Sequence, residues 1–274
     1  MMQTTAGEIF EFLKLMAPLE LQMDFDNAGF LVGDRGRRVE KALLALDATS
    51  EVIDEAIDFG ADMIITHHPL IWNAMKSLTT DDIMQRRVMK LVKNNISLVS
   101  MHTNLDIADG GVNDVLWTYV LVAALLGCAV WFTLRTRGVQ FRLLGEMMRV
   151  LGESAGSGPT DMAHFLPFCK AALRTNGLRY YDAGRPVERL AVMGGAGGAS
   201  LERAYHLGCD TYLTSDIKYD QFLTARELGI NLIDGDHFCT ENPVIYALHE
   251  RLSLAFPCVE LRVSQRHDQT AQFA

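Results

Sequence analysis

A chain of 274 residues can bury a sizeable core and has room for one large domain or two smaller ones. With 49% hydrophobic and 22% charged residues it lies outside the composition of disordered chains. A formal charge of −9 gives it no general attraction for phosphate backbones, so nucleic acid is not an expected partner.

The opening stretch, MMQTTAGEIFEFLKLMAPLE, reads as an amphipathic helix with acidic residues among its apolar ones. It lacks the basic start and continuous apolar run of a secretory signal. The five cysteines (Cys128, Cys169, Cys209, Cys239, Cys258) are odd in number, widely spaced and without a Cys-x-x-Cys pair, which reads as reduced thiols in a cytoplasm.

From Lys41 onward short apolar runs alternate with segments of helical period, the pattern of βαβ units around a largely parallel sheet. The strands are expected at 42–46, 63–66 and 96–100. Between the first two, Ser50 is placed to cap a helix whose Val52, Ile53, Ala56 and Ile57 share one face, and Gly60 ends it. Between the second and third, Met84, Val88, Leu91 and Val92 form another apolar stripe.

The second half repeats this plan. Aligning DFGADMIITHH (58–68) with HLGCDTYLTSD (206–216) matches Gly60 with Gly208, Asp62 with Asp210 and Thr66 with Thr214. Upstream, Ile53, Ala56 and Phe59 fall on Leu201, Ala204 and Leu207, and Ile96 to Val99 aligns with Ile230 to Ile233. The expected fold class is therefore α/β, with two pseudo-symmetric βαβαβ lobes and a metal cleft between them. Residues 1–114 form the first lobe, 115–160 a divergent apolar middle segment and 161–274 the second lobe, with 230–274 packing near the cleft.

Polar residues gather beyond the carboxyl ends of these strands, the edge where open α/β sheets bind ligands. In THHPLIW (66–72) two adjacent imidazoles follow a strand, and Pro69 stiffens the turn that aims them. In HTNLDIADGGVND (102–114), Asp106 is a candidate ligand, with His102 and Asn104 as groups that orient a ligand or substrate. In DGDHFCTEN (234–242), His237 and Glu241 are spaced to share one helix face, as an imidazole and a bidentate or bridging carboxylate. The set His67, His68, Asp106, His237 and Glu241 suits two divalent ions, zinc, manganese or ferrous iron rather than calcium. GGAGG (194–198), between a strand and a helix, offers backbone N–H groups that could cradle a phosphate or simply make a tight turn. Cys239 reads as a small buried residue, and His164, His206, His249 and His267 as structural or exposed.

With these motifs assembled, the chain resembles the GTP cyclohydrolase type 2 homologue family, also called Nif-three-like. The matching stretches are DFDNAGFLVGD (24–34), ITHHPLIW (65–72), MHTNLDIADGGVND (101–114), GGAGG (194–198), YLTSDIKYD (212–220) and INLIDGDHFCTE (230–241). The resemblance implies two similar α/β lobes, a dinuclear metal centre held by the five ligands named above, and a ring-shaped homohexamer. It implies a metal-dependent hydrolase acting on a small molecule, a nucleotide foremost, with Asp216, Lys218 and Tyr219 lining the cleft. A non-enzymatic metal-binding assembly or interaction module is the alternative. Asp220 stands where the family more often has histidine, and Ser215 where it more often has glycine.

The middle segment departs most. WTYVLVAALLGCAVWFTL (117–134) is uncharged and near the lower length for a membrane span. A single span there would put Asp106 and His237 on opposite sides of a bilayer, so no membrane is expected. Residues 115–160 contain no Asp or Lys, as in a buried apolar insertion or a stretch translated out of frame.

Overall fold

The computed structural model describes residues 3–122 and 160–273. Most of the apolar run 117–134, and most of the divergent segment 115–160, lie outside the described residues. Among the described residues no helix is long and apolar enough to cross a membrane. The chain divides into two compact units, Met1–Val115 with Glu241–Thr270, and Leu116–Thr240 with Ala271–Ala274.

The first unit opens with helix Ala6–Met16, begun by a capping box in which the Thr5 hydroxyl accepts from the Glu8 N–H and the Glu8 carboxylate accepts from the Thr5 N–H. Its strands are β1 (Gly29–Val32), β2 (Lys41–Ala45), β3 (Met63–Thr66) and β4 (Ser97–Ser100). Helix Ser50–Phe59 follows β2, and helix Ile83–Lys93 follows β3. Leu43, Ala45, Ile64 and Leu98 join Val52, Ile53, Ala56, Val88 and Leu91 in one core cluster. By alternation along the strands, the equally buried Ala42, Leu44, Met63, Ile65 and Val99 serve the opposite face. Cover on both faces is why these strands are unbroken apolar runs rather than alternating ones. The cap of helix Ser50–Phe59 falls one residue earlier than expected: the Thr49 hydroxyl, not that of Ser50, accepts from the Val52 N–H, and Gly60 ends the helix at φ 73°.

The second unit contains β5 (Arg179–Tyr181), β6 (Leu190–Val192), β7 (Thr211–Thr214) and β8 (Asn231–Asp234). Its order is β5-β8-β7-β6, and the first sheet reads β1-β4-β3-β2 followed by a fifth strand, β9 (Glu260–Val263). In both, an antiparallel edge strand lies beside three parallel ones. Helix Met162–Leu173 shares a cluster with Leu213 and Ile233, whereas Leu201, Ala204 and Ala225 pack with Tyr212 and Leu232. Adjacent strand residues thus supply opposite faces of one sheet.

The matched residues of the two halves do the same work. The Asp62 carboxylate accepts from the N–H groups of Glu40 and Lys41 at 2.9 and 3.2 Å, entering β2. The Asp210 carboxylate accepts from Glu188 and Arg189 at 3.1 and 2.7 Å, entering β6. Gly60 and Gly208 both turn the chain with positive φ, 73° and 80°. After Thr240 the chain returns to the first unit: helix Pro243–Ala255 buries Val244, Ile245, Leu248 and Leu252, and β9 pairs in parallel with β2. The last strand therefore extends the first sheet rather than the second.

Candidate metal centre

The end of β3 is fixed before any side chain acts. The Thr66 hydroxyl donates to the His68 carbonyl at 2.9 Å, and the His68 N–H donates to the Leu46 carbonyl at 2.9 Å. These bonds stiffen the turn and send two neighbouring imidazoles into different surroundings.

His67 is fully buried. Its Nδ1 lies 2.8 Å from the Met101 carbonyl, which can only accept, so Nδ1 carries the proton and Nε2 is a bare acceptor. Burial holds the ring neutral by pulling its pKa down to about 4. Nε2 has no hydrogen-bond partner, yet it faces Asp106 Oδ1 at 3.5 Å and Glu241 Oε2 at 3.7 Å.

His68 is held from both sides, Nδ1 at 2.8 Å from Asp47 Oδ1 and Nε2 at 2.9 Å from Glu241 Oε2. Burial pushes its pKa down, but the two carboxyl groups outweigh that and raise it to about 10. The imidazolium supplies the positive charge that these carboxyl groups require.

His102 completes the cluster. Its Nδ1 lies 3.0 Å from Asp26 Oδ1, and Asp26 also accepts from the Thr103 N–H at 2.9 Å and from the Thr103 hydroxyl. Burial pulls the His102 pKa down against the pull of Asp26. Burial raises that of Asp26, but its bonds to Thr103 and His102 carry it below the usual value. The ring centroids of His67, His68 and His102 stand 5.0 to 5.5 Å apart, and Trp72 presents an edge-on contact to His102 at 5.1 Å. Asn104 is fully buried and locks the turn: it accepts from the His102 N–H at 2.9 Å and donates to the Ala17 carbonyl at 2.7 Å.

One ring nitrogen from each of His67, His68 and His102 falls within 4.8 Å of the others, and so do ligand atoms of His67, Asp106 and Glu241. An ion with metal–ligand bonds of about 2.1 Å in tetrahedral geometry spaces its ligand atoms about 3.4 Å apart. The 3.5 and 3.7 Å separations around His67 Nε2 are close to that, and a bare buried nitrogen facing two carboxyl oxygens fits a cation.

The remaining expected residues belong to the second unit. His237 opens the short helix His237–Glu241, which Glu241 closes, and the division between the units falls after Thr240. His237 Nδ1 lies 2.7 Å from Asp216 Oδ2, and Asp216 sits in the left-handed region at φ 53°, tolerated by a short polar side chain. The Lys218 N–H donates to Gln221 Oε1 at 2.9 Å at the head of helix Tyr219–Leu228, and Tyr219 is 78% exposed.

At GGAGG the tight turn is what the structure contains. The N–H groups of Gly195 and Gly197 donate to the hydroxyls of Thr240 and Thr214 at 3.1 and 2.9 Å, and a Cβ on Gly197 would lie 2.3 Å from the Thr214 hydroxyl. Those amides are spent on the protein, and the glycines admit close packing. Cys239 is buried, its thiol pushed up to about 12 chiefly by burial. Asp47 and Asp26 are the contributors that sequence reasoning missed. Asp47 does follow β2 directly, so the rule that picked out the other strand ends would have found it.

Fold and site define an α/β protein with two like sheets, in which groups of imidazole and carboxyl side chains are able to hold a metal ion. The "GTP cyclohydrolase 1 type 2 homolog" of Clostridium perfringens is 33% identical over 248 residues, covering 90% of either chain. The model of the family Duf34/NIF3 (NGG1p interacting factor 3) matches residues 4–270, and the chain belongs to that family. Among solved structures, a Staphylococcus aureus hypothetical protein superposes with a TM-score of 0.82 at 23% identity, covering 100% of both chains. A Bacillus cereus protein related to NIF3 does so with 0.79 at 23%, again over 100% of both.

Proposed function

We propose that the chain is a metal-dependent hydrolase whose centre holds two divalent ions, zinc, manganese or iron, through His67, His68, Asp106, His237 and Glu241. The observation that carries this reading is His67 Nε2: a buried, unprotonated nitrogen without a hydrogen bond, opposed to two carboxyl oxygens. Such an arrangement is costly to bury unless a cation occupies it. Mixed imidazole and carboxylate donors favour the three metals named over calcium.

A bound pair of this kind supplies Lewis acidity and lowers the pKa of water toward neutrality. The protein's part is to hold the donors: the Met101 carbonyl, Asp47 and Asp216 fix the Nδ1 atoms of His67, His68 and His237, and Asp26 fixes that of His102. Trp72, 44% exposed, stands beside His102, and the family resemblance supports Asp216, Lys218 and Tyr219 as substrate-orienting residues. The name of the Clostridium perfringens relative makes a guanine nucleotide the first substrate to try. The family resemblance supports a cytoplasmic homohexamer as the working assembly.

The test is metal content and turnover of GTP and simple phosphoesters for the wild type and His67→Ala. The expected result is bound metal and metal-dependent hydrolysis in the wild type, both lost in the variant. Stoichiometric metal without metal-dependent turnover on any of these substrates would instead assign the centre to a binding role.

A further inference from the structure

The hydrogen-bond pattern around the histidines singles out a residue outside the ligand set. Four imidazoles, His67, His68, His102 and His237, each have Nδ1 committed to an oxygen within 2.7 to 3.0 Å. A backbone carbonyl serves His67, whereas Asp47, Asp26 and Asp216 serve the other three. Asp26 and Asp216 have further reasons to be where they are: Asp26 ties down the Thr103 amide and hydroxyl, and Asp216 occupies a positive-φ corner.

Asp47 has none. Its side chain is 48% exposed and makes no other hydrogen bond among the described residues. It caps no helix, since Thr49 holds that post for helix Ser50–Phe59. It lies in no core cluster among the described residues. Its one side-chain hydrogen bond among the described residues is to His68 Nδ1.

We propose that Asp47 is a positioning residue for the metal centre, holding His68 with Nδ1 protonated so that Nε2 is turned toward Glu241 and the ion. A histidine that ligates through Nε2 needs a partner on Nδ1 to set its tautomer and ring orientation, and a carboxylate also makes the imidazole a stronger donor. Without Asp47 the His68 ring keeps its contact to Glu241 but loses the carboxylate that fixes Nδ1. This inference rests on the metal-binding reading above and adds a residue to it.

Asp47→Ala and Asp47→Asn test it, with chelator-competition affinity for zinc and manganese and the melting temperature of the metal-free protein as readouts. Asp47→Ala is expected to weaken affinity about 10- to 100-fold while the metal-free protein still folds. Asp47→Asn, whose amide oxygen still accepts from Nδ1–H, should recover most of that loss. Unchanged affinity in Asp47→Ala overturns the proposal, and so does Asp47→Asn falling as far as Asp47→Ala, because charge rather than orientation would then be acting.

A second measurement stands apart from metal binding. In nitrogen–proton spectra of the metal-free protein, the Nδ1–H of His68, identified by its loss in His68→Gln, should be protected from exchange in wild type and Asp47→Asn and lost in Asp47→Ala. An unprotected proton in the wild type overturns the role of Asp47 whether or not metal binds. A protected proton in a wild type that takes up no metal leaves the pair standing and overturns the metal-centre reading instead.

Discussion

β3 in the first sheet runs out into His67 and His68, and its counterpart β7 in the second sheet runs out into Ser215 and Asp216. Upstream the two are interchangeable: a left-handed glycine, an aspartate that receives the N–H groups of the preceding strand, three buried residues and a buried threonine. Past the threonine the first unit presents imidazoles. The second presents a carboxylate that orients one, Asp216 against His237 Nδ1 at 2.7 Å, as Asp47 within the first unit stands against His68 Nδ1 at 2.8 Å. The residues shared by the copies are those the backbone needs, and the residues that differ are those with chemistry to perform.

That division predicts where substitutions will be felt. The largest effect is expected at Glu241, whose side chain is 4% exposed and meets both His67 and His68. Glu241→Ala should cost more metal affinity than the roughly 10- to 100-fold typical of outer orienting groups, while the metal-free fold persists. Elemental analysis after dialysis reads this directly, and wild-type occupancy in the variant would break the assignment.

Next come the matched aspartates. Asp62→Ala and Asp210→Ala each strip the acceptor from two backbone N–H groups and should each lower stability by about 1–3 kcal/mol in denaturant titrations. A cost at one site and none at the other would show that the two halves share an outline without sharing its supports.

A further effect is spread over a range of pH. In the metal-free protein His68 titrates near 10, above its ordinary 6.5, so the stability it contributes is full below about 6.5 and is lost as pH rises toward 10. A metal ion must displace that proton, so affinity should climb by up to tenfold per pH unit over the same window. His67, depressed to about 4, acts in the other direction, its neutral burial costing stability as pH falls from 6.5 toward 4. Thermal melts of the chelated protein from pH 6.5 to 10 should decline for the wild type and flatten for His68→Gln. A wild-type curve as flat as the variant's would remove the imidazolium from the account.

Periodicity made the repeat and the strands of the first sheet legible, because strands covered on both faces must be apolar throughout. It also picked out His67, Asp106 and Glu241, which the first unit does bring together. The division of labour between His67 and His68 was beyond it. Two identical neighbours acquire pKa values near 4 and near 10 because one points at a backbone carbonyl and the other at two carboxyl groups, and those partners come from distant segments. β9 was missed for a related reason: a short edge strand with alternate exposure announces no partner of its own, and only the open side of β2 gives it one. At GGAGG the residue types fit a phosphate cradle, but the nearby threonine hydroxyls had already claimed the amides.

The first unit is assembled from two separate stretches of chain, with all of the second unit except Ala271–Ala274 lying between Val115 and Glu241. On the ribosome, β2 must therefore wait with one edge bare, and His67 and Asp106 without their third carboxyl-bearing neighbour, until the final helix and strand emerge. Chains stalled before Glu241 carry an unfinished sheet and a partial ligand set, which ties the maturation of the centre to the completion of synthesis.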